Sequence, residues 1–289
     1  MVISEIHYAP FGDPESEFLE LMNITTAPVS LYDSLRSSSW RLTDGVNFEF
    51  PSNPALVLAP NERIILAGSL SHFNAAFRVP PGTLVLQWTS GRLANEGESL
   101  QISQPAGLDD AGIRQFARVD RVSFDRVPPW PVEANGTGYS LQKQALNDYG
   151  NDPSPWIAAL PTPGAAFQGW LFKDWIRTFN LTPEAQGPGA DPDHDGIPNL
   201  LEFVLGRDPK TAETQSPLSL VTTNPPSIRF RVQLDRSGVR VQLETASALN
   251  AAVWAQVESQ ITATDATHQT RSALLPNDTA VRFFRLSAQ

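Results

Sequence analysis

Short hydrophobic runs separated by turn residues dominate the first 167 residues of the chain. The run EFLELMN (17–23), for example, would place Leu19 and Leu21 on one face of a strand and Glu20 on the other. Turn signals such as Asp44-Gly45 separate the runs. Further strand-like runs lie at 2–8, 40–42, 47–50, 55–59, 63–68, 83–88, 99–103 and 118–124. Strands at this spacing predict a two-sheet β-sandwich.

The hydrophobic period changes after this segment. Leu171, Trp175 and Phe179 follow one another at intervals of four, which predicts one apolar face of a helix. The run TPEAQGPGA (182–190) ends that helix, and a second short helix is expected to begin around Pro198 and to end at Gly206. The sequence therefore predicts a two-helix segment after the sandwich.

Alternation of apolar and polar residues returns in the last part of the chain. It is clear in SIRFRV (227–232) and in VRVQL (239–243), and it predicts a small C-terminal β-domain that leans on the helical pair. The fold class is thus mainly β. We expect a β-sandwich over 1–168, a helical segment over 169–212 and a C-terminal β-domain over 213–289.

Composition narrows the classes of function. The 289 residues carry a net charge of −10 and show no cluster of Lys and Arg, which argues against a nucleic-acid partner. No segment approaches the roughly 20 apolar residues of a membrane helix, so we expect no membrane insertion. The chain has no cysteine, which excludes disulfides and thiol chemistry.

The order of motifs in the first domain resembles the lamin tail domain, an immunoglobulin-like β-sandwich found in nuclear lamins and in many bacterial surface and secreted proteins. The resemblance covers about residues 2–167 and implies an immunoglobulin-like fold. It rests on seven pieces in order: VISEIHYAP, EFLELMNITTAPVSLYDSLRSSSWRLTDG, LVLAPNERIILAG, LANEGESLQI, RVDRVSF, WPVEANGTGYSLQ and WIAALPTPGAAF.

The stretch ADPDHDGIPNLLEFVLGRDP (190–209) matches the spacing of a calcium-binding loop. Alternate aspartates, a glycine at the sharp bend and a glutamate at the twelfth position provide the oxygen ligands that Ca²⁺ prefers. The predicted ligands, in loop order, are Asp191, Asp193, Asp195, the carbonyl of Ile197, Asn199 and Glu202. Between Arg177 and Arg207 there is no Lys or Arg to neutralise these carboxylates.

Two alternatives to a calcium site remain open at this point. The stretch could be a solvated acidic turn, or it could bind Mg²⁺, although Mg²⁺ takes fewer protein ligands in a stricter octahedral geometry. The first helix ends about eleven residues before Asp191, so a tight helix-loop-helix is not expected. The stretch resembles the calcium repeats of thrombospondin type 3 and dockerin-like modules, and that resemblance implies a structural ion.

These observations favour a non-catalytic extracellular structural or interaction module with a calcium-stabilised interdomain linker. We expect it to form the C-terminal part of a larger bacterial secreted or surface protein, with the export signal upstream, and its partners would be calcium and a cell-surface protein or glycan. One alternative is the accessory region of a secreted hydrolase or kinase-like enzyme. The other is a carbohydrate-binding module that stacks sugars on exposed tryptophans, with the candidates Trp40, Trp88, Trp130 and Trp156.

Overall fold

Strands dominate the computed structural model, which describes residues 1–222, 225–275 and 281–289. The chain divides into two units, Met1–Gln168 and Gly169–Gln289. None of the described helices is long and apolar enough to span a membrane. The protein is therefore mainly β, as the sequence predicted, with several separate sheets.

The first unit contains one α-helix, α1 (Leu70–Ala76), and a 3-10 turn at Val132–Ala134. Its strands are β1 (Val2–His7), β2 (Phe18–Met22), β3 (Val29–Ser30), β4 (Tyr32–Asp33), β5 (Ser38–Ser39), β6 (Arg41–Asp44), β7 (Val46–Glu49), β8 (Val57–Leu58), β9 (Arg63–Ala67), β10 (Leu84–Gln87), β11 (Ser90–Gly91), β12 (Gly97–Leu108), β13 (Arg114–Asp125), β14 (Ser140–Lys143) and β15 (Trp156–Ala159).

Two larger sheets organise this unit. A six-stranded sheet has the order β10-β9-β2-β1-β14-β15, and a five-stranded sheet has the order β11-β7-β6-β12-β13. The rings of Tyr8 and Phe124, at the ends of β1 and β13, lie 4.7 Å apart between their centroids. All six residues of β1 are buried, because the strand lies inside its sheet between β2 and β14. Polar side chains on β1 therefore need partners within the fold.

Helix α1 was not predicted from the sequence. Its buried Phe73 packs on Phe18, Ile65 and Ala67 of the six-stranded sheet. The ring of Phe73 meets that of Phe18 edge-to-face, with 5.5 Å between the centroids. Since the helix has only seven residues and buries one large side chain, its helical periodicity in the sequence is weak.

The second unit contains helices α2 (Phe172–Arg177) and α3 (Asn199–Leu205) and a 3-10 turn at Pro183–Gln186. Its strands are β16 (Trp170–Leu171), β17 (Ser219–Val221), β18 (Ser227–Gln233), β19 (Arg236–Ser237), β20 (Val241–Ala246), β21 (Ala255–Val257), β22 (Gln260–Thr264), β23 (His268–Leu274) and β24 (Phe283–Ala288). They form the sheets β17-β18-β23-β22, β21-β20-β24 and the parallel pair β16-β19.

The helices and the sheets of this unit share one hydrophobic core, although the sequence pattern suggested a division near residue 212. Side chains of the helical segment and of the strands that follow it are buried against one another. The buried members are Trp175, Ile176, Ile197, Leu201, Phe203, Val204, Ile228, Phe230, Val232, Leu243, Ala273 and Leu286. The helical segment is therefore part of a folded unit, because neither its short helices nor the small sheets could bury their apolar faces alone.

Candidate metal centre

The acidic loop folds around the side chains of its own aspartates. One oxygen of Asp191 accepts a hydrogen bond from the backbone N–H of Gly196 (3.0 Å). One oxygen of Asp193 accepts from the N–H of Asp195 (3.2 Å), and Asp195 Oδ1 accepts from the N–H of Ile197 (2.8 Å). Each carboxylate thus uses one oxygen to hold the turn. Gly196 has a φ of 89°, a conformation that glycine adopts without strain.

The second oxygens of two aspartates have no such role. Asp191 Oδ1 and Asp193 Oδ2 are buried and accept no hydrogen bond from any residue that the structure describes. One carboxylate oxygen from each of Asp191, Asp193 and Asp195 lies within 4.8 Å of the others. The loop therefore collects partly desolvated negative charge at one point.

Glu202 lies on α3 and extends this cluster into the interior. The residue is 0% exposed, and both of its carboxylate oxygens lack a hydrogen-bond partner among the described residues. A buried carboxylate without a partner is costly, since the charge loses its hydration and receives nothing in return. Helix α3 holds the residue in place, because the neighbouring Leu201 and Phe203 are anchored in the core.

Glu213 joins the cluster from a segment outside the loop. One carboxylate oxygen from each of Asp195, Glu202 and Glu213 lies within 4.8 Å of the others. Arg207 Nη1 lies 3.2 Å from Glu213 Oε2. Glu213 is not among the ligands that the sequence predicts, because it lies beyond the twelfth position of the loop signature and no local spacing rule includes it.

The remaining predicted ligands are the side chain of Asn199 and the backbone carbonyl of Ile197. Asn199 is fully buried, and its Nδ2 donates to the carbonyls of Ala185 (2.7 Å) and Gly187 (2.9 Å). Its Oδ1 is buried and accepts no hydrogen bond within the described part of the chain. The side chain of Ile197 is a hydrocarbon that packs in the core, and the candidate ligand at this position is its backbone carbonyl.

Burial and mutual repulsion both act on these carboxyl groups. Burial, followed by the nearby charges of Asp193 and Asp195, raises the pKa of Glu202 to about 8. Burial also raises the pKa of Asp193, to which the charge of Asp195 adds. The pKa of Glu213 is raised by burial, although Arg207 opposes the shift. A bound cation would favour the charged form of every one of these groups.

The donor set fits calcium. Ca²⁺ takes six to eight oxygen ligands in a flexible geometry, with carboxylates, carbonyls and water among them. Asp191, Asp193, Asn199 and Glu202 all carry buried oxygens that no described residue satisfies. The set contains oxygens and no thiolate or imidazole, so a softer metal such as zinc is disfavoured. A calcium ion held by these residues would neutralise the carboxylates and cross-link the loop to α3.

The tryptophans considered as a sugar-binding platform lie inside the first unit. Trp40, Trp88, Trp130 and Trp156 are all buried, so these four tryptophans do not form an exposed platform for stacking sugars.

Comparison of the chain with protein-family models, curated proteins and solved structures found no match.

Proposed function

We propose that the protein is a non-catalytic structural or interaction module whose second unit is stabilised by a bound calcium ion. The ligands would be Asp191, Asp193, Asp195, the carbonyl of Ile197, Asn199 and Glu202. The observation that carries the proposal is the carboxylate of Glu202, which is fully buried with both oxygens unpartnered among the described residues and lies beside the carboxylates of the loop.

A solvated acidic turn is a poorer account of these residues. Carboxylates of such a turn would be hydrated and would separate to reduce their repulsion. Glu202 is instead held inside the unit by a helix whose neighbouring side chains are in the core. The free energy that this arrangement costs is recovered if a divalent cation binds, because the cation attracts several carboxylates at once.

The bound ion would stabilise the second unit as a whole. The loop leads directly into α3, and α3 shares its core with α2, β18 and β24. Ion binding to the folded state alone contributes about 1.4 kcal/mol of stability when the free ion is at ten times its dissociation constant. We also propose an extracellular or cell-surface location, the setting of calcium modules whose dissociation constants are on the order of 10⁻⁴–10⁻³ M.

For the first unit we propose an immunoglobulin-like β-sandwich of the lamin-tail type, with a role in binding a cell-surface protein or glycan. The six-stranded and five-stranded sheets, and the contact between the tilted rings of Tyr8 and Phe124, support the proposed fold. The buried carboxylates of Glu5 on β1 and Glu20 on β2 accept hydrogen bonds from the backbone N–H groups of Thr162 and Gly164, so they hold the last segment of this unit against its central strands.

Calorimetric titration of the full chain with Ca²⁺ tests the calcium proposal. We expect one ion per chain, loss of binding in Asp195→Ala, and a higher melting temperature in calcium than in chelator. His194→Asn is the matched control, because His194 lies exposed between two proposed ligands and asparagine tolerates its φ of 62°. If the chain releases no heat and melts at the same temperature in calcium and in chelator, the calcium proposal is wrong.

A further inference from the structure

The chain reverses direction after α3 and returns to the acidic loop. Gly206 ends the helix in the left-handed conformation (φ 71°), and the backbone N–H of Arg207 donates to the carbonyl of Glu202 (2.9 Å). Six residues later, the backbone N–H of Glu213 donates to Asp195 Oδ2 (3.1 Å). This hydrogen bond joins the returning segment directly to a proposed calcium ligand.

The side chain of Glu213 also turns toward the loop. One of its oxygens lies within 4.8 Å of carboxylate oxygens of Asp195 and Glu202. Its Oε2 is buried, lies 3.2 Å from Arg207 Nη1, and has no hydrogen bond of good geometry with the residues described. Arg207 in turn donates from Nη2 to the carbonyl of Gln215 (3.0 Å), so the guanidinium is held on the same segment.

We infer that Glu213 is an additional calcium ligand, contributed from outside the twelve-residue loop, and that the ion thereby ties the segment after α3 to the loop. The inference rests on the proposed calcium site and extends it. Three carboxylates within 4.8 Å of one another repel, and one guanidinium beside Glu213 neutralises only part of that charge. Calcium accepts six to eight oxygens, so a further carboxylate fits its shell and favours it over Mg²⁺.

The competing interpretation is that Glu213 serves only as the ion-pair partner of Arg207. The two interpretations differ in what each partner contributes to calcium affinity. Glu213→Gln and Arg207→Gln both break the ion pair, but only the first removes a carboxylate from the cluster. Arg207→Gln removes a positive charge and leaves the proposed ligands unchanged.

Calcium titration calorimetry on the full chain and these two variants separates the interpretations. We expect Glu213→Gln to weaken binding by at least about 10-fold, the loss that changes around a metal site commonly cause. We expect Arg207→Gln to bind as tightly as the unmodified chain or more tightly. Equal weakening in both variants, or unchanged affinity in Glu213→Gln, would overturn the inference. Absence of binding to the unmodified chain would instead refute the calcium site itself, and with it this extension.

A second measurement reports on coordination directly and does not depend on affinity. Luminescence lifetimes of Tb³⁺ in H₂O and D₂O count the water molecules on the bound ion. Glu213→Ala should add about one water, because the lost carboxylate oxygen is replaced from solvent, and an unchanged count would contradict ligation by Glu213. Circular dichroism of each variant establishes that the protein compared is folded.

Discussion

The carboxylate of Glu20 accepts a hydrogen bond from the backbone N–H of Gly164 at 2.8 Å, although the two residues are 144 positions apart. Glu5, which pairs with Glu20 across β1 and β2, accepts in the same way from the N–H of Thr162 (3.0 Å). Two neighbouring carboxylates of the central strands thus hold the last segment of the first unit. Both are buried, so each bond is made in surroundings where an unpaired group would be costly.

Removal of Glu20 should destabilise the first unit. In Glu20→Ala, the N–H of Gly164 loses its acceptor and Arg63, whose Nε lies 3.1 Å from Glu20, loses its ion-pair partner. A fully buried donor left without a partner costs about 1–3 kcal/mol, and these two donors are partly buried, so we expect a loss of at least about 1 kcal/mol. Hydrogen exchange of peptides from β1 and β2 measures this loss of stability in the first unit. Glu49→Ala, on an exposed position of β7, should change stability by less than about 0.5 kcal/mol.

The stability of the first unit should decline with rising pH. Burial raises the pKa of Glu5 to about 8, to which the charge of Glu20 adds, and burial also raises the pKa of Glu17 to about 8. The folded state therefore keeps these protons after the unfolded chain has released them. The stabilisation is complete below about pH 4.5, falls as pH rises and is lost above about pH 8.

Calorimetric unfolding of the full chain at about pH 5 and about pH 8.5 measures this dependence. Glu5→Gln should reduce the difference between the two conditions by an amount of order a few kcal/mol, because glutamine does not titrate. Asp110→Asn, at an exposed position, should leave the difference unchanged. A pH dependence that is the same in Glu5→Gln and in the unmodified chain would contradict the assignment to Glu5.

Glu202→Gln should have opposite effects in chelator and in calcium. In chelator the variant should be more stable than the unmodified chain by about 1 kcal/mol or more, because it lacks a buried carboxylate without a partner. In calcium the variant should bind about 10- to 100-fold more weakly and should gain less stability. Thermal melts under both conditions give the comparison. A variant that is less stable than the unmodified chain in chelator would show that Glu202 has a structural role other than ion binding.

Gly206→Ala should destabilise the second unit by about 1 kcal/mol, because Gly206 has a φ of 71°, a left-handed conformation that is strained for alanine. An added Cβ would also displace the side-chain amide of Gln233. Gly187→Ala is a matched control. Gly187 has a φ of −63°, and a Cβ there meets no described atom within 4 Å, so this variant should be neutral or more stable by about 0.4–1 kcal/mol. Denaturant unfolding of the full chain in calcium compares the two.

The sequence by itself determined the features that depend on nearby residues. Helix α3 spans Asn199–Leu205 and ends at a left-handed Gly206, as its local pattern predicted. The aspartates of the loop gather around one point because each accepts a hydrogen bond from a backbone N–H of the same turn, and their oxygens lie within 4.8 Å of one another. Whether that point binds calcium is still a prediction.

Only the tertiary structure decided which distant groups meet. No local spacing identifies the partner of Glu213, which returns to the loop. The same holds for Glu5 and Glu20, which accept hydrogen bonds from the N–H groups of Thr162 and Gly164. It also holds for the core that the helical segment shares with the last strands. The physical reason is that a local pattern restricts dihedral angles and faces over about a dozen residues. The pairing of distant carboxylates with backbone donors follows from the packing of whole sheets, where every buried polar group must find the partner that the fold brings to it.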